Sequence, residues 1–128
     1  TGGIVILGVL ALVLVLLTRG ADGVVRTLRE GDAGEVVEMT VGEHVVVKLA
    51  GNPTTGFTWE VAQVDRAVLV PSGEPDYESE SDAEGAGGTY TFRFAAVGPG
   101  EAEVLMVYRR TWEEAEPADT FTFRALVG

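Results

Sequence analysis

Few side chains in this sequence could carry out catalysis. The 128 residues include no cysteine and a single histidine, His44. A thiol nucleophile, a disulfide framework, a cysteine-ligated zinc and a histidine-rich metal site are therefore excluded. His44 would be the single base available to a Ser-His-Asp triad, but it alternates with Val45 and Val47 as an exposed strand residue would. We predict no catalytic residue, no metal and no cofactor, and expect the protein to work by binding.

The acidic residues are the next groups that could support chemistry. Acidic side chains alternate with uncharged ones from Asp76 to Glu84, a pattern that invites a calcium site. An EF-hand loop needs a glycine at its sixth position and a bidentate glutamate at its twelfth, and neither fits here. Five carboxylates on one face of an extended chain would repel one another, so we predict a solvated, mobile acidic loop at 74–84. The acidic residues between Glu113 and Asp119 lie on one polar stretch, which favours another solvated loop over an acid/base pair.

Charge and length limit the class of partner. Asp and Glu number 20 against 9 Lys and Arg, which gives a formal net charge of −11. Binding to nucleic acid requires a surface of Lys and Arg that neutralises phosphates, so we expect no nucleic-acid partner. The length fits one domain, which excludes an enzyme whose cleft lies between two lobes.

One segment has the composition of a stiff binding loop. It runs from Gly51 to Phe57 between two apolar stretches. Its proline fixes one φ angle, its asparagine can cap the turn, and Gly56 permits a positive φ where the chain enters the next strand. Thr54 and Thr55 would then lie at the crest. A common turn is the alternative for this motif on its own.

Two further segments have features that ordinary connecting loops lack. The stretch from Pro71 to Gly88 ends in Gly85-Ala86-Gly87-Gly88, whose glycines would leave backbone groups bare against a partner. A flexible linker is the alternative there. The segment from Arg109 to Glu114 carries Trp112 in polar surroundings, and Trp and Arg are enriched at binding hot spots. Alternatively, Trp112 folds back and caps the end of the domain.

The segments on either side of these loops have the sequence patterns of β-strands. About seven short strands separated by turn signals predict an all-β, two-sheet sandwich over 35–128, preceded by a linker at 21–34. Trp59 is expected in the core. Alternation predicts that Tyr90, Phe92 and Phe94 share one face of their strand, and that Phe121, Phe123, Ala125 and Val127 face inward. The row Ala102, Val104, Met106 and Tyr108 alternates with a second row that is also largely apolar, as in a central strand.

The first twenty residues form a separate apolar segment. Residues 4–17 are apolar except for Gly8, a run shorter than the ~20 residues of a typical transmembrane helix and close to the apolar part of a signal peptide. No clear small-x-small cleavage site follows. We predict that 1–20 is an export signal or a membrane anchor through 4–17, with a buried core strand or helix as the alternative. The domain would then be extracytoplasmic, either secreted or periplasmic, or held at the membrane.

The three loop motifs together resemble the chagasin family, which comprises proteinaceous inhibitors of papain-like cysteine proteases. The motifs are Asn52-Pro53-Thr54-Thr55-Gly56-Phe57, Gly85-Ala86-Gly87-Gly88-Thr89 and Tyr108-Arg109-Arg110-Thr111-Trp112. The resemblance extends from about Glu35 to Val127. The third motif departs from the family pattern, because Thr111 stands where the family usually has proline. This difference should loosen the loop, at a cost of about 0.5–1 kcal/mol in preorganisation.

The resemblance implies an immunoglobulin-like sandwich whose three loops lie at one end and fill the cleft of a papain-like protease. It implies that Thr54, Thr55 and Gly56 approach the catalytic centre, while Arg110 and Trp112 pack on the protease surface. The residues expected to bind the protease are Asn52, Pro53, Thr54, Thr55, Gly56, Phe57, Gly85, Gly87, Gly88, Arg110, Thr111 and Trp112. The expected state is a monomer. A cell-surface β-sandwich that binds another molecule without inhibiting a protease is the alternative function.

Overall fold

The computed structural model describes residues 23–128, so the apolar segment 1–20 lies outside the described residues. The strands are β1 Val24–Leu28, β2 Val36–Met39, β3 His44–Gly51, β4 Phe57–Gln63, β5 Leu69–Pro71, β6 Asp76–Ser79, β7 Gly88–Ala96, β8 Gly100–Arg110 and β9 Asp119–Val127. Two short 3-10 turns, Glu30–Asp32 and Pro53–Thr55, are the helical elements of this part of the chain. Within it, no helix has the length and apolar character needed to cross a membrane.

The strands form two sheets. One has the order β1-β3-β7-β5, with β6 pairing on the same edge of β7 as β5, and the other has the order β2-β9-β8-β4. β1 runs parallel to β3 and β2 runs parallel to β9, whereas the remaining pairs are antiparallel. The predicted all-β, two-sheet sandwich is therefore confirmed.

The core forms where the inner faces of the two sheets meet. The side chains of β7 alternate between buried and half-buried along the whole strand, and those of β9 alternate over most of its length, as their sequences predict. Phe94 and Phe123 are each at most 1% exposed and meet edge to face with ring centroids 5.6 Å apart. Trp59 on β4 is 5% exposed and joins the same cluster. Burial of these aromatic rings supplies much of the hydrophobic stabilisation of the sandwich.

The sandwich begins earlier in the chain than the sequence indicated. The stretch 21–34 was expected to be a linker, but it contains β1 and the first 3-10 turn. Leu28 at the end of β1 is fully buried and lies opposite Val47 of β3. Only Leu28 of β1 is fully enclosed, so the segment shows no alternation that would reveal a strand. Its place in the fold depends on pairing with a strand about 20 residues further along the chain.

Part of the acidic stretch 74–84 is also a strand rather than a mobile loop. β6 pairs with β7, with Tyr77 opposite Tyr90 and the two rings 4.9 Å apart. Desolvation is the main cause that raises the pKa of Tyr77 above its usual value, and the neighbouring Tyr90 and Glu80 add to it. Residues 80–84 are exposed. Within 23–128, no group of three or more His, Asp or Glu side chains is placed to hold a metal ion.

Strand directions bring the three predicted loops to one end of the sandwich. Gly51 at the end of β3 lies opposite Gly88 at the start of β7, and Phe57 at the start of β4 lies opposite Arg110 at the end of β8. The connections 52–56, 80–87 and 111–118 therefore emerge together, and they are named loop 1, loop 2 and loop 3 below. We call this the loop end. The opposite, distal end includes His44 at the start of β3.

Candidate functional site

Loop 1 is a single 3-10 turn closed by hydrogen bonds among its own residues. Asn52 has an extended backbone, with φ −141°, and its Oδ1 accepts the Thr54 N–H at 3.1 Å and the Thr54 hydroxyl at 2.6 Å. Pro53 occupies the first position, where no N–H donor is needed. Gly56 ends the turn with φ 85° and donates its N–H to the Pro53 carbonyl at 3.0 Å. Thr54 and Thr55 are left exposed at the crest.

An aromatic platform supports the base of loop 1. The Tyr108 hydroxyl accepts the Asn52 N–H at 2.8 Å. The Tyr108 ring stacks on Phe57 at 5.3 Å and lies 5.2 Å from the ring of Trp59. Alternation placed Tyr108 in one row of a central strand and did not indicate that its hydroxyl supports the loop. The available signal was the tyrosine itself, which follows Ala102, Val104 and Met106 in the alternating row. A partly buried hydroxyl usually forms a hydrogen bond.

The Asn52 side chain also joins loop 1 to loop 2. Its Nδ2 donates to the Gly85 carbonyl at 2.9 Å. Gly85 has φ 80°, which a residue with a Cβ rarely adopts. Loop 2 is further closed by a bond from the Glu80 N–H to the Gly87 carbonyl at 3.0 Å. One amide side chain therefore sets the position of two loops relative to each other.

The glycines of loop 2 do not all present a bare backbone. Gly85 is exposed and Gly87 is half-buried, but Gly88 is buried inside β7. A Cβ at Gly88 would collide with the Glu78 carbonyl and would lie 2.7 Å from the Tyr77 hydroxyl. Gly88 is thus required by the close approach of β6, and it does not lie open to a partner as the sequence suggested.

Arg110 joins loop 1 to loop 3. Its Nε donates to the Thr55 carbonyl at 3.1 Å, and its guanidinium carbon lies 4.6 Å from the centre of the Phe57 ring. Its Nη1 forms a 3.1 Å ion pair with Glu113 of loop 3. The resemblance implied that Arg110 packs on the protease, and in this structure its Nε and Nη1 are engaged within the molecule. Sequence analysis did not assign this role to Glu113, and no local pattern indicated it.

Trp112 is the most prominent apolar group of loop 3. Its side chain is 68% exposed, so it does not fold back to cap the core. The tip of the indole lies against loop 1, because a Cβ added at Gly56 would be 2.5 Å from Trp112 Cη2. Thr111 before it is the second residue of a turn closed by the Glu113 N–H and the Arg110 carbonyl at 3.1 Å. Proline is favoured at that position of a turn.

The three loops therefore form one cross-linked surface with exposed Thr54, Thr55 and Trp112. Residues 38–126 match the model of the family described as chagasin family peptidase inhibitor I42. The chain belongs to the chagasin family.

Chagasin-family relatives and structures agree with this assignment. Amoebiasin-1 of Entamoeba histolytica is 30% identical over 104 residues, which cover 79% of this chain and 98% of the relative. Chagasin of Trypanosoma cruzi is 30% identical over 83 residues, covering 62% of this chain and 76% of the relative. Because the family consists of peptidase inhibitors, the domain is an inhibitor and not an enzyme.

Two solved structures share the chagasin-family fold. The cysteine protease inhibitor EhICP2 from Entamoeba histolytica has a TM-score of 0.71 at 17% identity, covering 80% of this chain and 95% of that one. PbICP-C in complex with falcipain-2 has a TM-score of 0.60 at 16% identity, covering 80% of this chain and 99% of that one. At these identities the likeness concerns the fold.

Replacing Asn52 with aspartate tests the link between loops 1 and 2. Asn52→Asp keeps the Oδ1 that accepts both the N–H and the hydroxyl of Thr54, but replaces the donor to Gly85 with a second oxygen. We expect a loss of about 1–2 kcal/mol in the free energy of unfolding, since the Gly85 carbonyl then faces a carboxylate. Urea denaturation measures the loss, and amide hydrogen exchange locates it in loops 1 and 2. Gln63→Glu makes the same change at an exposed site of β4 and should have little effect. Equal stability of the two variants would contradict the link.

Proposed function

We propose that this domain inhibits papain-like cysteine proteases by filling the active-site cleft with its three loops. The observation that carries the proposal is the cross-linking of loops 1, 2 and 3 at one end, with Thr54, Thr55 and Trp112 exposed on the surface they form. The occurrence of a chagasin-family fold in the complex of PbICP-C with falcipain-2 supports it.

Inhibition of this kind requires a segment that enters the cleft without being cut. The Asn52 carbonyl accepts the Thr55 N–H and hydroxyl, the Pro53 carbonyl accepts the Gly56 N–H, and the Thr55 carbonyl accepts Arg110. These carbonyls already have donors and lie in a tight turn rather than an extended strand. Loop 1 would therefore block the catalytic cysteine, while its tight turn differs from the extended backbone in which a substrate carbonyl meets the nucleophile.

Stiffness should also favour tight binding. A flexible peptide loses backbone and side-chain freedom when it enters a cleft, whereas loop 1 is held in one conformation by bonds to the other two loops. Three loops side by side suit an interface of standard size, on the order of 1,600 Å². Because one domain carries all three loops, we propose that the inhibitor acts as a monomer with one protease per chain.

The residues of the surface have two different tasks in this proposal. Thr54, Thr55 and Gly56 face the catalytic centre, and Trp112 is the apolar anchor. Gly85 and Gly87 offer their backbone N–H groups, since Asn52 and Glu80 already hold their carbonyls. Asn52, Tyr108 and Arg110 hold these groups in place from inside the molecule.

We further propose that residues 1–20 direct the domain out of the cytoplasm, as a cleaved signal or as an anchor through 4–17. Val24 at the start of β1 lies opposite His44 at the distal end. An apolar segment joined there would leave the loop end free to meet a protease. This arrangement suits either a secreted domain or one held at a membrane.

Titration into papain with a fluorogenic peptide substrate tests the inhibitor function. We expect reversible inhibition that reaches completion at one molecule per enzyme, and no effect on trypsin. Thr55→Trp should abolish inhibition, because it adds bulk at the exposed crest. The domain should stay folded, since the core is untouched and the loss is limited to the loop 1 bonds of the Thr55 hydroxyl, chiefly the one to the Asn52 carbonyl. Glu101→Ala changes an exposed residue at the distal end and should inhibit like the wild type. A Thr55→Trp variant as active as the wild type would show that loop 1 does not enter the cleft.

The variant Thr111→Pro tests the geometry of loop 3. Proline fits the second position of the Arg110–Glu113 turn, and none of the described residues accepts the Thr111 N–H. We therefore expect tighter binding to papain, by about 0.5–1 kcal/mol or roughly twofold to fivefold in Kd. Weaker binding would mean that loop 3 changes its backbone on binding. Surface plasmon resonance would locate the gain in the dissociation rate.

Mass spectrometry and fractionation of cells that express the gene test the export proposal. A soluble extracytoplasmic product without residues 1–20 indicates a cleaved signal, and a membrane-bound product that retains 4–17 indicates an anchor. A soluble cytoplasmic product with these residues intact would refute both.

A further inference from the structure

The turn after β1 reaches the strand that leads into loop 1. β1 ends opposite Val47, so β3 continues through Lys48–Gly51 beyond its last β1 partner. There the 3-10 turn Glu30–Asp32 follows β1, and the Glu30 carboxylate accepts the Ala50 N–H. The turn lies ahead of the stretch that matches the family model, which begins at residue 38.

Side chains from three elements replace a neighbouring strand at this part of β3. Glu30 holds the Ala50 N–H, while the Trp59 indole N–H donates to the Ala50 carbonyl at 2.9 Å. Two residues later, Tyr108 holds the Asn52 N–H. The peptide groups of Ala50, on this edge of β3, and of Asn52, just beyond the strand, are thus bonded by side chains rather than by a neighbouring strand.

The first turn is itself held in place, so the Glu30 carboxylate has a defined position. The Asp32 carboxylate accepts the Arg29 N–H at 2.9 Å, and the Arg29 carbonyl accepts the Asp32 N–H at 2.8 Å. Arg26 on β1 forms ion pairs with Asp32 at 3.8 Å and Glu35 at 3.4 Å. These contacts restrain both ends of the turn that carries Glu30.

We propose that Glu30 is a positioning residue for loop 1, and that residues 24–32 belong to the inhibitory unit. This rests on the proposed inhibitor function. Glu30 acts through Ala50, which precedes the capping Asn52 by two residues, and it sets the conformation in which loop 1 leaves the sheet. Without it, β3 would fray at its loop end, and the binding-competent conformation of loop 1 would be less populated.

Three variants of the full chain test this role. Glu30→Ala removes the acceptor, Glu30→Gln keeps an oxygen at the same place, and Glu101→Ala removes a carboxylate from an exposed 2.9 Å ion pair with Arg124 at the distal end. We expect Glu30→Ala to raise the inhibition constant for papain by about threefold to tenfold, mainly through slower association. Glu30→Gln should restore the wild-type constant to within about twofold, since an amide oxygen still accepts the bond. Glu101→Ala should match the wild type.

Amide hydrogen exchange provides a readout that general destabilisation would not reproduce. In Glu30→Ala the N–H of Ala50 should exchange at least about tenfold faster, while N–H groups at the centre of β7 keep their wild-type rates. A uniform increase across the domain, or unchanged exchange at Ala50, would overturn the proposal. So would a Glu30→Gln variant as impaired as Glu30→Ala. If the wild type fails to inhibit papain, the proposed inhibition of papain is refuted, and exchange at Ala50 alone then decides whether Glu30 positions loop 1.

Discussion

The arrangement of the loop end depends on the hydrogen bonds of Asn52. Its N–H is held by Tyr108, its Oδ1 caps the loop 1 turn, and its Nδ2 reaches the carbonyl of Gly85. An aspartate could cap the turn but could not donate to loop 2, and a serine could not span both. A single amide side chain therefore joins loops 1 and 2, and Arg110 completes the surface by joining loop 1 to loop 3.

The hydrogen bonds of Asn52 lie directly above an aromatic platform, and this arrangement gives a small acidic domain a rigid binding surface. The exposed ends of the loops contribute little burial, so the core alone would not hold them. Phe57, Tyr108 and Trp59 extend the packed interior up to the base of loop 1. Polar groups in loop 1 then find partners within the protein, and the conformational entropy lost on binding a partner is correspondingly smaller.

The sequence predicted features that depend on neighbouring residues and missed those that depend on distant ones. Alternation predicted β7 and β9, and the residue types around Asn52 and Gly56 predicted the capped turn and its positive φ. The pairing of β1 with β3 was not predicted, because β1 has no alternating pattern of its own. Nor could the bond from Arg110 to Thr55 be predicted, because it joins residues 55 positions apart that meet only after both sheets have formed.

Contact with a protease and positioning of the loops make different demands on a side chain. Trp112 is exposed, with its indole tip against Gly56, so its large apolar surface is available and already oriented. Arg110 is equally typical of binding sites, but its Nε and Nη1 are engaged by Thr55 and Glu113. To bond a protease through either of those two nitrogens, it would have to give up part of the link between loops 1 and 3. Residue type alone therefore does not show whether a side chain contacts the protease or positions the loops. The partners that the side chain already has within the protein do show this.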